Sequence, residues 1–261
     1  MAKVKEVQKE QANQNVITLK VDSTKQRFLE DFNIEVKSWK NNEDDANEFI
    51  FIDWGDGTKP KKVTFKETKQ TGHNGHVVKP QKIKYDFDTN ENTITLTGNI
   101  KYFSCNGMGV QSLDVSGCPS LEYLFCNNND LTELDISNCR ALIMLSFMTN
   151  KINDVNVSQH TSLEVFRCAN NQLTTIDVSQ NAALRDLNCC MNKLTALDVS
   201  KNVLLKDFNC TQNQLTMLDI SKNTQLSFLD CSENNLTTLD VSGNPNLSQI
   251  IYDNDKVTII K

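Results

Sequence analysis

From about residue 100 to the C-terminus, the hydrophobic positions of the chain recur every 21 residues. In the clearest copy the apolar positions are Leu226, Leu229, Cys231, Leu236, Leu239 and Val241, interleaved with the polar Asn234, Asp240 and Ser242. One column reads Cys105, Cys126, Phe147, Cys168, Cys189, Cys210, Cys231 and Tyr252. Three places on, Asn129, Asn150, Asn171, Asn192, Asn213 and Asn234 align, with Met108 and Asp255 at the two ends. A fixed period of this length specifies a solenoid, in which each copy is one coil and stacking neighbours bury a shared core. Within a coil, alternation predicts a short strand over 122–127, with Leu124 and Cys126 inward and Tyr123, Phe125 and Asn127 outward. Copies of that strand stack as a parallel sheet about 4.8 Å apart. Leu131, Leu134 and Ile136 form the opposite wall, strand-like or irregular because too few residues remain for a helix.

Ahead of the repeats the period is two. Runs at 16–21, 34–39, 49–54, 63–65, 83–87 and 93–97 alternate as strands do, and polar or glycine-containing turns separate them at 41–45, 55–57 and 72–75. The organisation expected is a polar, flexible lead over 1–14, a β-sandwich over 15–98 and about eight coils over 99–261. The fold class is therefore mainly β throughout.

Composition narrows the function. The 261 residues are 38% hydrophobic with a net charge of -6, which opposes nucleic-acid binding, since that needs a basic face. The chain contains no apolar run of the ~18 residues that a membrane span needs. Residues 1–10 lack the apolar core of a signal peptide, so either the protein is cytoplasmic or a signal has been removed. The nine cysteines are an odd number, and most follow the solenoid period instead of a disulfide framework. They read as reduced core residues in place of leucine.

The repeat pattern, with its cysteine and asparagine columns, resembles the leucine-rich repeats of bacterial internalins, over about 160 residues. The resemblance implies a right-handed curved solenoid with a concave ligand-binding face, on an extracellular bacterial surface protein. Residues 51–58, with Trp54, Gly55, Asp56, Gly57 and Thr58, resemble the signature of PKD-like immunoglobulin-fold domains. The usual His-x-Tyr partner of that signature is missing, since His76 is followed by Val77 and Val78. Physically, Trp54 ends an apolar strand, the glycines permit a tight turn and Asp56 can accept from turn amides. The alternative, a calcium or zinc site using Asp53, Asp56, His73 and His76, lacks enough carboxylates and a specific spacing.

No catalytic constellation emerges, and neither cofactor nor metal is expected. Core thiols are inert, and Cys189 and Cys190 diverge as strand neighbours. His160 falls in the column of Asn181, Asn202, Asn223 and Asn244 and reads as a surface substitution. The column Asp114, Asp135, Asn156, Asp177, Asp198, Asp219 and Asp240 could be a calcium ladder, but capping of turn amides beside serine explains it without a metal. What remains is surface. Outward positions of the first coils are rich in aromatic and long apolar side chains: Tyr102, Tyr123, Phe125, Met144, Met148 and Val165, with Arg167 beside them. Such a patch marks a protein interface, unless the N-terminal region folds over it. The expectation is a monomeric, non-enzymatic surface or secreted protein that captures a protein partner in adhesion. The alternatives are a carbohydrate-binding protein, for which aromatic side chains beside acids also suit, and an architectural spacer.

Overall fold

Each coil buries two side chains that flank an outward one, and this fixes its strand. The computed structural model describes residues 15–22, 34–37, 49–64, 81–83, 91–98 and 100–261. All of the described chain is strand, turn or irregular, and the described residues contain no helix. The first six strands are β1 (Asn15–Asp22), β2 (Ile34–Lys37), β3 (Phe49–Asp53), β4 (Lys61–Thr64), β5 (Gln81–Ile83) and β6 (Glu91–Gly98). The repeats begin with β7 (Tyr102–Ser104), β8 (Val110–Gly117), β9 (Tyr123–Phe125), β10 (Met144–Ser146) and β11 (Val165–Arg167). They continue with β12 (Asp186–Asn188), β13 (Asp207–Asn209), β14 (Phe228–Asp230), β15 (Thr238–Asp240), β16 (Gln249–Ile251) and β17 (Thr258–Ile260).

One strand per coil pairs in parallel with the next, without a register slip from β7 to β16, as the 21-residue period requires. These strands are three residues long, shorter than the expected 122–127. Inter-coil backbone bonds do continue past β9, for example from the Cys126 N–H to the Ser146 carbonyl at 2.9 Å. The strand ends because Asn129 takes the Cys126 and Asn127 carbonyls, and Asn128 then turns into the left-handed region at φ 56°. The same turn recurs at Thr149, Asn170, Met191, Gln212 and Glu233.

The strands that precede the repeats join both walls of the solenoid. β2 pairs antiparallel with β7 and extends the sheet of the coils, with β5 outermost. On the other wall β1 lies antiparallel between β6 and β8, in a sheet ordered β4-β3-β6-β1-β8. This contact is close: a Cβ on Gly117 would lie 2.9 Å from the Val16 carbonyl oxygen. The turn at 54–58 behaves as its residues suggest. Gly55 and Gly57 have φ of 72° and 79°, Asp53 accepts from the Gly55 N–H and Asp56 from the Thr58 N–H. A Cβ on Gly55 would meet the Thr93 carbonyl at 2.3 Å. The expected lead over 1–14, the turns at 41–45 and 72–75, and His73 and His76 lie outside the described residues.

The core of the coils is a continuous stack. Phe147 replaces cysteine between Cys126 and Cys168 and is fully buried against Phe166, with ring centroids 5.9 Å apart. The Asp column caps turns: each of its members accepts from the backbone N–H two residues on, as Asp135 does from Ser137 at 2.9 Å. That bond to the serine N–H holds the Asp135, Asp177 and Asp198 carboxyls below the usual range.

His160, expected at the surface, lies inside the solenoid. It is fully buried, and so are Asn181, Asn202 and Asn223 in its column. The His160 Nε2 lies 3.1 Å from the Ile136 carbonyl, one coil back. Cys139 donates in the same way to Val115, and Cys118 to Val16, so β1 supplies the carbonyl that a preceding coil would have given. A column at a turn looked like surface because its residues are polar. It is interior because each one holds the neighbouring coil.

Candidate functional site

The outward face of the ten-stranded sheet is assembled from three columns, and the register fixes which side chains meet. Along the first, Tyr102, Tyr123, Met144, Val165, Asp186, Asp207, Phe228 and Gln249 stand side by side. Phe125 follows in the second column, flanked by Ser104 and Ser146, which are 5% and 2% exposed and leave room for its ring. The Tyr102 ring centroid lies 6.2 Å from that of Tyr123 and 5.3 Å from that of Phe125, both tilted. Tilted contacts at these distances are favourable aromatic geometry.

The structure therefore brings together Tyr102, Tyr123, Phe125, Met144 and Val165 on one face, with Met148 in the third column beside Phe125's neighbours. All are half-buried, not fully exposed, because strands one hydrogen bond apart crowd their outward side chains. Asn127, expected to point into solvent, is 9% exposed. Its side chain accepts from the Met148 N–H and the Ser146 hydroxyl, both at 2.7 Å, so it ties coils together beneath the face.

Arg167 is committed within the chain. Its guanidinium donates to Asp186 Oδ2 through Nη2 at 2.5 Å and Nε at 3.2 Å, and this bond raises its pKa. The pair marks a boundary. Beyond it the outward columns carry Asp207, Asp230 and Asp253. Asp230 accepts from the Ser232 N–H and hydroxyl, and Asp253 from the Glu233 N–H. Asp207 is exposed and makes no ion pair among the described residues. The face thus has an apolar half on the first coils and an acidic half on the later ones. The acidic half was visible column by column in the sequence; what the sequence lacked was the Arg167–Asp186 pair that separates the two.

Elsewhere the chemistry is subdued. Burial pushes the Cys118, Cys139 and Cys231 thiols up to about 12 and raises Cys105, Cys168 and Cys210 well above their ordinary value. A protonated thiol is a poor nucleophile and a poor metal ligand. Cys190, half-buried on the sheet face, is also raised by burial. All nine thiols are free. The described residues contain no group of three His, Cys, Asp or Glu placed to hold a metal. A depression of about 510 Å³ on the opposite wall is lined by apolar Leu134, Ile136 and Val155 and by acidic Asp114, Glu133, Asp135 and Asp154. Its Asp114 and Asp135 are already used in capping turns.

No protein-family profile and no curated protein matches the chain. Solved structures do resemble it. The functional domain of InlJ from Listeria monocytogenes, which includes a cysteine ladder, is 31% identical with a TM-score of 0.54 over 62% of this chain. The match covers 41% of that structure, so the chain spans about two fifths of its length. Internalin C2 of the same organism is 16% identical with a TM-score of 0.54, over 62% of this chain and 81% of its own. The ectodomain of the plant receptor kinase GASSHO1/SCHENGEN3 from Arabidopsis thaliana is 19% identical with a TM-score of 0.51, over 61% of this chain and 24% of its own. The two structures of lower identity share the fold alone. Taken with the in-register parallel sheet and the buried columns, these likenesses establish that the chain folds as a leucine-rich-repeat β-solenoid of about eight coils.

Proposed function

We propose that the chain is a non-enzymatic bacterial surface or secreted protein whose concave sheet face captures a protein partner in adhesion or cell–cell contact. The observation that carries this reading is the cluster of Tyr102, Tyr123 and Phe125 on the outward face of a sheet, where the Tyr102 ring packs against the other two. Aromatic side chains gathered on a rigid surface are the usual anchors of protein interfaces. The likeness to the InlJ functional domain supports the compartment, and the GASSHO1/SCHENGEN3 ectodomain, solved in complex with CASPARIAN STRIP INTEGRITY FACTOR 2, supports partner capture by this fold.

The test is substitution on the face. Tyr123→Ala and Phe125→Ala should leave the chain folded, at a cost of about 1 kcal/mol from the lost contact with the Tyr102 ring. The same changes should weaken partner binding by about 2 kcal/mol or more. Asp198→Ala, on the opposite wall, should leave binding alone. A sharp fall in melting temperature for Tyr123→Ala would make the cluster a structural contact. Binding confined to a glycan array, with no protein captured, would replace the protein partner by a carbohydrate.

A further inference from the structure

The two halves of the sheet face differ in chemistry and lie at a fixed distance. Four coil steps separate Tyr123 from Asp207 in one unbroken column, through Met144, Val165 and Asp186. At about 4.8 Å per step the separation is about 19 Å, the reach of about six residues of extended polypeptide. The apolar end offers Tyr123 and Phe125 as a half-buried platform. At the other end Asp207 is exposed, with Asp230 one coil further. Between them Arg167 neutralises Asp186, so the middle of the face attracts neither sign strongly. We propose that the occupant of this face is an extended basic segment of a protein, lying along the solenoid axis. Its aromatic or aliphatic anchor sits on the Tyr123–Phe125 platform, and a cationic pair about six residues away sits over Asp207 and Asp230. This deepens the partner-capture reading and rests on it.

The charge pattern selects against the alternatives. An acidic partner would meet Asp207 and Asp230 with like charge and gain nothing from Arg167, whose guanidinium is already paired. A purely apolar partner would leave the acidic half unused. The one arrangement that uses both halves is apolar at one end and cationic at the other. Carboxylates at the rim of a face act chiefly on encounter rate and salt dependence, so the interaction should weaken with ionic strength.

The probes are synthetic twelve-residue peptides in a Gly/Ser background, read by fluorescence anisotropy against the whole chain. One carries Trp and an Arg-Arg pair six residues apart. The second replaces Arg-Arg with Glu-Glu, and the third moves Arg-Arg to two residues from Trp. The first should bind at least about tenfold tighter than the other two, with the advantage shrinking as salt rises. Asp207→Lys should erase the preference for Arg-Arg over Glu-Glu, and Tyr123→Ala should weaken the first peptide about tenfold. Equal binding of the first two peptides, or no binding of the first at its solubility limit, overturns the proposal. A random peptide library selected on the whole chain separates the two failures. Selected peptides that depend on Tyr123 but lack cationic residues leave partner capture standing and remove the basic segment. An empty selection alongside a positive glycan array removes both.

Discussion

Two columns of asparagine run through the same solenoid and do different work. In the first, Asn192 accepts from the Leu173 N–H at 3.0 Å and donates to the carbonyls of Cys168, Cys189 and Cys190. Asn150, Asn171, Asn213 and Asn234 repeat that set of bonds. In the second, Asn202 donates to the Val178 and Asn181 carbonyls, and its Oδ1 is buried without a donor. The first column needs a donor and an acceptor on one short side chain, and six consecutive coils hold asparagine there. The second needs only a donor aimed one coil back. Cys118, Cys139 and His160 can each supply one, and they occupy its first three places. Tolerance in a repeat thus follows the number of bonds that a position must satisfy, not its burial, since the more tolerant second column is the more deeply buried.

The largest effect expected is at the first column. Asn192→Ala leaves the Leu173 N–H buried without a partner and takes a donor from three carbonyls, of which that of Cys190 keeps the Asn170 N–H at 2.9 Å, and it should cost about 3 kcal/mol. Asn192→Cys restores one weak donor and no acceptor and should cost nearly as much. At the second column Asn202→Ala should cost only about 1 kcal/mol. The Val178 carbonyl still accepts from the Asn181 N–H and the Asn181 carbonyl from the Leu184 N–H, both at 3.0 Å. Asn202→Cys should be milder still. Urea unfolding of the four variants decides the matter: equal costs for the two cysteine variants would break the distinction between the columns.

Much of this contrast was legible in the sequence, and the part that was not has a physical cause. The period placed the first column, its turn and the in-register sheet. An asparagine held through six coils announced both a donor and an acceptor role. The second column mixes Cys, His and Asn, so it looked like variable surface. Its common property is at least one N–H or S–H aimed at a carbonyl of the preceding coil, which a residue-type pattern conceals. The aromatic half of the face was legible because alternation assigns directions to side chains. The Arg167–Asp186 pair was not, because it joins residues in different columns of adjacent coils.

The turn beneath the first column stores strain. Thr149 is β-branched yet held at φ 57°, where a Cβ substituent is disfavoured. Gly107 occupies the equivalent place in the first coil at φ 68°. Thr149→Gly should therefore stabilise the chain by roughly 0.5–1 kcal/mol, despite the freedom that glycine adds to the unfolded state. A fall in the urea midpoint would mean that the bond from Asn170 to the Thr149 hydroxyl at 3.3 Å outweighs the strain.

The smallest expected effect is at His160, the one histidine in the column. His160→Asn keeps a donor for the Ile136 carbonyl. By analogy with the bond from Asn181 to the His160 carbonyl at 2.8 Å, it adds a second donor, towards Cys139. It loses some buried ring and exchanges the unpartnered Nδ1 for an amide oxygen, the atom left without a donor in Asn181, Asn202 and Asn223. These changes oppose one another, so stability should stay within about 0.5 kcal/mol of the parent. His160→Leu keeps apolar bulk and gives up the donor. The Ile136 carbonyl then retains only the Cys139 N–H at 2.8 Å, and the variant should be less stable than His160→Asn. Thermal unfolding of the pair separates bulk from bonding. If His160→Leu equals or exceeds His160→Asn, the column is selected for filling space, and the need for a donor that unites Cys118, Cys139, His160 and the four asparagines is wrong.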